Sequence, residues 1–287
     1  MESKIDISVI IPMHNSAKYI EKAIDSILLQ EKHGFNYEII VVDDFSKDDS
    51  CELVKGLKND KIKLIELNQN QGTANARNAG IKIAKGEWIQ FLDSDDTVCK
   101  DLYKKFELSI MPIFNCYLFS ILNEYSKYTV KQTITTIKDK RAFGFFSVIW
   151  NKFIKREICL EFVEVSKQNE DSCFIIDMMN NRDLQMALIQ DAYYIYNRKN
   201  DLSKMANFNK QEYMNMFNYI YSKIKVSDKY TKMFILDVFG NLIFARNIPL
   251  QIRIPVALKT ITRLFNYLPA IYKNGIGYYT TQIIISE

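Results

Sequence analysis

Apolar positions in the first hundred residues follow two alternating patterns. Ile7 to Ile11 is a short apolar, β-branched run, interrupted only by Ser8 and closed by Pro12-Met13-His14-Asn15, which predicts a buried strand and a turn. From Ala17 to Gln30 the apolar residues Ile20, Ala23, Ile24, Ile27 and Leu28 recur at three and four, one face of a helix with Asn15 or Ser16 as its cap. The pair then repeats. Glu38 to Val42 reads as a strand ending at Asp43-Asp44, Asp48 to Leu57 as a helix, Ile62 to Leu67 as a strand, Gly72 to Ala84 as a helix with Gly86 as its C′ residue, and Trp88 to Leu92 as a fourth strand. Strands alternating with helices of this length predict βαβ units, right-handed crossovers and a mainly parallel sheet with helices on both faces.

In such sheets ligands bind beyond the carboxyl ends of the strands. The residues predicted there are Pro12 to Asn15, Asp43-Asp44 and Asp93-Ser94-Asp95-Asp96. Clustered carboxylates need a cation or several donors to stay ionised, and oxygen ligands favour Mg²⁺ or Mn²⁺. The alternative is a helix start, with Asp95 or Asp96 capping a helix that begins near Asp101. A cap explains one acidic loop, but not acid at two strand ends that the topology brings together. Neither GxGxxG nor GxxxxGK[ST] follows the first strand, which argues against a dinucleotide dehydrogenase or a P-loop enzyme. Arg77, among small residues on the third helix, is a candidate to reach a pyrophosphate or to hold a carboxylate.

Composition narrows the class. The chain of 287 residues is 48% apolar, with a net charge of only +4 from 38 basic and 34 acidic residues, which does not point to nucleic acid. Five scattered cysteines without a CxxC fit a reducing compartment. No apolar run approaches the roughly 18 residues that span a bilayer, and Met1 to Asp6 lacks a signal-like apolar core, so a cytoplasmic protein is expected.

Four segments, Ser8 to Asn15, Glu38 to Ser46, Asn70 to Gly80 and Phe91 to Asp96, stand in the order and spacing of glycosyltransferase family 2, which the chain resembles. A weaker continuation runs through Val148 to Arg156, Asn169-Glu170-Asp171, and Tyr194 to Arg198 with Ser203. The resemblance implies a GT-A-type fold and an inverting transferase that adds a single sugar from a UDP-sugar to a glycan or lipid-linked acceptor. It implies donor contacts from Pro12, His14, Asn15, Asp43, Asp44, Gly72, Arg77 and Arg198, with Asp44 on the base. Asp93 would lie near the ribose or sugar and Asp95 on a Mn²⁺ or Mg²⁺ ion bridging the diphosphate, with Asp93 as second ligand and Asp96 left as the helix cap. Asp171 would be the general base. Phe45 departs from the family's usual glycine, and His14 from its usual aromatic. The Gln-x-x-Arg-Trp motif of processive synthases is absent.

Residues 1–205 are expected to form the catalytic domain, with 1–98 binding the nucleotide-sugar and 99–205 the acceptor. Residues 206–287 are expected to be a mostly helical extension, with two amphipathic helices from Lys210 to Phe239. Beyond it Arg246, Arg253, Lys259, Arg263 and Lys273 are interleaved with apolar residues, a pattern that suits an anionic membrane surface on its inner face or a homo-oligomer contact. The rival readings are a non-catalytic nucleotide-sugar-binding assembly partner and a sugar-nucleotide nucleotidyltransferase.

Overall fold

The computed structural model describes residues 4–124, 129–132, 148–165, 170–181, 184–197 and 210–223. Its strands are β1 Ile7–Met13, β2 Tyr37–Asp43, β3 Ile62–Glu66, β4 Trp88–Phe91, β5 Thr97–Val98, β6 Cys116–Glu124, β7 Thr129–Gln132, β8 Lys152–Lys155 and β9 Met186–Asn197. The helices are α1 Ile20–Leu28, α2 Ser50–Gly56, α3 Thr73–Ile83, α4 Leu102–Ser109, α5 Glu170–Asn181 and α6 Lys210–Lys223.

One curled sheet runs β3-β2-β1-β4-β8-β6-β9-β5, with β7 against β6. The β3-β2-β1-β4 half is all parallel; β8 enters antiparallel between β4 and β6, and β9 lies parallel to β6. Both β1 and β2 are buried along their whole length, as a strand covered on two faces must be. Alternate residues therefore feed different cores. Val9, Ile11, Ile39 and Val41 pack with α1, α2 and α4. Ile10, Ile40, Val42, Ile89 and Phe91 pack with α3, α5 and α6.

Pro12 sits inside β1, where a missing N–H would normally break a ladder. It falls two positions beyond the last β1–β4 pair, Ile10 with Phe91, so no hydrogen bond to β4 is lost. The antiparallel β5–β9 pairing, Thr97 with Ile195 and Val98 with Tyr194, draws the acidic loop after β4 against the end of β9.

Three local expectations are corrected. The first helix starts at Ile20 rather than near Ala17, and neither Asn15 nor Ser16 caps it with a side chain; instead the Ser16 carbonyl accepts from Tyr19 and Ile20 N–H. Gly86 is not a left-handed C′ residue, since α3 ends at Ala84 in extended backbone. It is glycine because a Cβ there would lie 2.4 Å from the Ser8 backbone nitrogen. Asp96 does not cap α4, whose N-cap position is Asp101. Its carboxylate is taken up inside the fold, as described below.

The first of the two helices expected after residue 205 is α6. Its Met216, Phe217 and Ile220 share a core with α5, Asn180 Nδ2 donates to the Lys223 carbonyl at 2.6 Å, and the Tyr219 hydroxyl donates to Asp177. The second helix, the basic segment at 246–279 and Arg198 lie outside the described residues. Among the described residues no helix is long and apolar enough to cross a membrane.

Candidate active site

The carboxyl ends of β1, β2 and β4 meet as the parallel topology requires. His14 and Asn15 are exposed just past β1. His14 Nδ1 donates to the Asp44 carbonyl at 2.8 Å, and its Nε2 lies 3.0 Å from Asn15 Nδ2. Asn15 also links the β1 and β2 ends: its N–H donates to Ser46 Oγ at 2.8 Å and its Oδ1 accepts from Lys47 N–H at 2.7 Å. Pro12 is buried beneath this rim rather than facing it.

Asp43 is buried and accepts from Ser46 N–H at 3.1 Å. Asp44 accepts from Gln71 N–H at 2.6 Å and from Gly72 N–H at 2.8 Å. Gly72 can present its amide this way because it holds φ +87°, open to glycine at no steric cost. The Asp44 carboxylate thus already serves the chain, one N–H on each oxygen, and only its remaining lone pairs are left for a base.

Phe45, where the resemblance leads one to expect glycine, keeps the glycine-like conformation at φ +65°. A bulky side chain in this left-handed conformation carries strain. Its ring is 39% exposed, with Lys47 Nζ 3.3 Å from the ring centroid.

The centre of the site is Arg77. It is 3% exposed, set among the small residues of α3 with its guanidinium 5.3 Å from the Phe162 ring. Nη2 donates to Asp93 Oδ1 at 2.8 Å, and Nη1 donates to Asp171 Oδ1 at 2.7 Å and to Glu170 Oε1 at 3.3 Å. Burial opposes this charge, but Asp171, Asp93 and Glu170 outweigh burial and raise its pKa. The fork reaches carboxylates from two distant parts of the chain, which a single ammonium could not do with the same geometry.

Asp171 lies in the first turn of α5, where acid is favourable to the helix dipole. Its Oδ2 accepts from Ile149 N–H at 3.3 Å. Burial pushes its carboxyl up to about 6; Arg77 and the Ile149 N–H pull it down, and the charges of Glu170 and Asp93 push it up.

The loop after β4 places its three carboxylates in three settings. Asp93 is held by Arg77 through Oδ1, and its N–H donates to the Tyr194 hydroxyl at 3.2 Å. Asp95 is half-buried on the same loop. Asp96 is buried, accepting from the Tyr194 hydroxyl at 2.8 Å and from Asn197 N–H at 2.7 Å. Burial, then Asp95 and Asp93, raise its pKa well above the usual range. Asp96 and Tyr194 together tie the acidic loop to the end of β9.

Sequence reasoning singled out Asp93, Asp95, Glu170, Asp171 and Arg77 but not the convergence of Asp93, Glu170 and Asp171 on one guanidinium. It missed Tyr194 as a strut and Lys152 as a buried cation beneath Asp171. The alternation of Tyr194 with Tyr193 and Tyr196, and a lysine flanked by Trp150 and Phe153, were the available signals.

Residues 8–140 match the family model "Glycosyl transferase family 2". The succinoglycan biosynthesis protein ExoO of Rhizobium meliloti is 44% identical over 100 residues, 35% of this chain and 28% of that protein. The poly(ribitol-phosphate) β-N-acetylglucosaminyltransferase TarS of Staphylococcus aureus is 37% identical over 99 residues, 34% of this chain and 17% of that protein. These matches thus span less than a third of the relatives' own length. The fold agrees with the crystal structure of S. aureus TarS 1–349 in complex with UDP-GlcNAc, with a TM-score of 0.72 at 21% identity over 88% of this chain and 79% of that one.

Proposed function

Because the chain belongs to glycosyltransferase family 2, we propose that it transfers a single sugar from a UDP-sugar, with inversion, to a hydroxyl of a glycan or lipid-linked acceptor in surface polysaccharide or glycoconjugate synthesis. The donor class is supported by the UDP-GlcNAc complex of TarS, and the setting by the succinoglycan and poly(ribitol-phosphate) relatives. One observation carries the mechanism. A single buried arginine binds both Asp93, at the end of a parallel strand, and Asp171, 78 positions further on.

Asp171 acts as the general base. An acceptor hydroxyl needs a carboxylate within hydrogen-bond reach as attack proceeds, and a carboxyl at about 6 is ionised at neutral pH while being more basic than an exposed aspartate. Arg77 and the Ile149 N–H fix its direction. Attack from the base's side with departure on the opposite face gives inversion, without a second carboxylate nucleophile.

The acidic loop fits a hard divalent ion. Its donors are all oxygen, and Asp95 is half-buried at the rim. Among the described residues no three His, Cys, Asp or Glu side chains are grouped to hold an ion by themselves, so an ion at this loop would need oxygens of the donor and water as further ligands. Asp95, with Asp93, would hold Mn²⁺ or Mg²⁺, which when bound supplies Lewis-acid stabilisation to the departing diphosphate.

Asp171→Asn tests the reading. Calorimetric UDP affinity is expected to stay near normal while turnover falls about 10²–10⁴-fold. In the unaltered protein the rate is expected to drop as pH falls through about 6, because the base is then protonated. Undiminished transfer by Asp171→Asn removes Asp171 from its role.

A further inference from the structure

Lys152 lies in β8 with 1% of its surface exposed. Its Nζ donates to Asn151 Oδ1 at 2.8 Å and to the Val148 carbonyl. Asn151 is itself fixed against β6: its Nδ2 donates to the Phe119 carbonyl at 3.0 Å, and its own carbonyl accepts from Phe119 N–H at 3.1 Å. The Val148 carbonyl is one end of a peptide unit, and the other end is the Ile149 N–H that donates to Asp171 Oδ2. A cation on the oxygen of a peptide polarises the whole unit and makes its N–H a stronger donor.

We propose that Lys152 is a positioning residue for Asp171: its ammonium, seated on the Val148 carbonyl, fixes and polarises the Ile149 N–H that aims the carboxylate and favours its ionised form. Asp171 is thereby gripped on both oxygens, by Arg77 directly and by Lys152 through one peptide. For its effect on turnover the inference rests on the reading of Asp171 as the base; the chain of contacts stands without it.

A purely structural part would not need the charge. Taking an ammonium out of water is costly, and an apolar side chain of similar length is often tolerated at such a position or even stabilising there. Burial draws Lys152 down to about 8, against the attraction of Cys116 and Asp171. The charged groups facing Asp171 are Arg77 from α3, Asp93 from the loop after β4, its neighbour Glu170, and Lys152 from β8. Lys152 is the member of this set that can change charge near pH 8, and the Cys116 thiol beside it is pushed up to about 12.

The test is carboxyl ¹³C NMR of the full chain labelled at aspartate, with Asp171 assigned through Asp171→Asn. In the unaltered protein the Asp171 signal is expected to show its main inflection near pH 6 and a second one near pH 8, as Lys152 loses its proton. In Lys152→Met the second inflection is expected to vanish and the first to move up by about half a unit to one unit. An unaltered protein with no inflection near pH 8 overturns the inference, and this arm does not depend on the variant folding. So does a variant that keeps that inflection, or one whose main inflection stays in place. If the protein transfers sugar, the acid limb of kcat/KM is expected to move with the carboxyl titration. A shifted titration in a protein that transfers no sugar upholds the role of Lys152 and overturns the proposed function.

Discussion

Replacing Arg77 by methionine removes the one guanidinium that Asp93, Glu170 and Asp171 share while keeping an unbranched side chain in α3. Removing one partner from a buried ion pair costs about 3–5 kcal/mol, because the remaining charge is left buried. The pH dependence gives a second and more specific handle. Asp171 sits at about 6 in the folded chain against an ordinary 3.8, which corresponds to an unfavourable ionisation of about 3 kcal/mol even with Arg77 present. A carboxyl raised in this way favours folding below its unfolded value and loses that contribution as pH rises through its folded value. Without Arg77 the folded value climbs further, so the loss extends to higher pH and the variant's deficit grows from pH 5 to pH 8. Urea unfolding of both proteins across that range measures it. Arg77→Lys, which keeps a charge but loses the fork, is expected to fall between the two. A deficit at pH 8 below about 1 kcal/mol, or one that does not change with pH, would refute the reasoning.

Three further substitutions separate the remaining parts of the site. Asp95→Ala is expected to weaken UDP binding in the presence of Mn²⁺ and to leave metal-free binding unchanged; calorimetry showing equal affinity with the ion counts against the metal assignment. Phe45→Gly is expected to stabilise the chain by about 1 kcal/mol, since a bulky residue at φ +65° carries about 1–3 kcal/mol of strain, partly offset by the greater entropy glycine loses on folding. A lower urea midpoint would show that the contact with Lys47 outweighs that strain. Gly86→Ala is expected to cost about 1–3 kcal/mol, because its Cβ meets rigid backbone at Ser8 rather than a movable side chain; an unchanged unfolding midpoint would show that the chain there yields.

The parallel half of the fold was legible because a strand buried on both faces must be mostly apolar, so Ile7 to Ile11, Glu38 to Val42 and Trp88 to Leu92 announce themselves without partners despite the single buried polar residues Ser8, Glu38 and Gln90. Their order then places Asp43, Asp44 and Asp93 at one edge by topology alone. Caps were less legible. Asp96 has the residue type and spacing of a helix cap, but its partners are Tyr194 and Asn197, about a hundred positions away, and no local pattern records such a contact. Gly86 was misassigned for the same reason: a glycine after a helix is ambiguous between a left-handed cap and a close approach, and only the placement of Ser8 decides it. Lys152 looks like one more charge among aromatic residues until the sheet closes over it.

The site's charge gives the separate pieces one logic. Asp93, Glu170 and Asp171 share the single guanidinium of Arg77, so this cluster is net negative when all three are ionised, and Asp95 lies on the loop beside it. A nucleotide diphosphate brought to this edge would add like charge, which costs energy unless a cation accompanies it or a carboxyl takes up a proton. Asp171 is the member of the cluster that burial has moved toward neutrality, yet in its proposed role as base it must be ionised. Arg77 and the Ile149 N–H, the latter backed by Lys152, keep it available by stabilising its charged form. A divalent ion on the side of Asp95 would then meet the donor's charge separately. Under the proposed function two cationic contributions are needed because two negative groups would coexist in one small volume: the proposed base, held by residues of the chain itself, and the donor, which would bring its counter-ion with it.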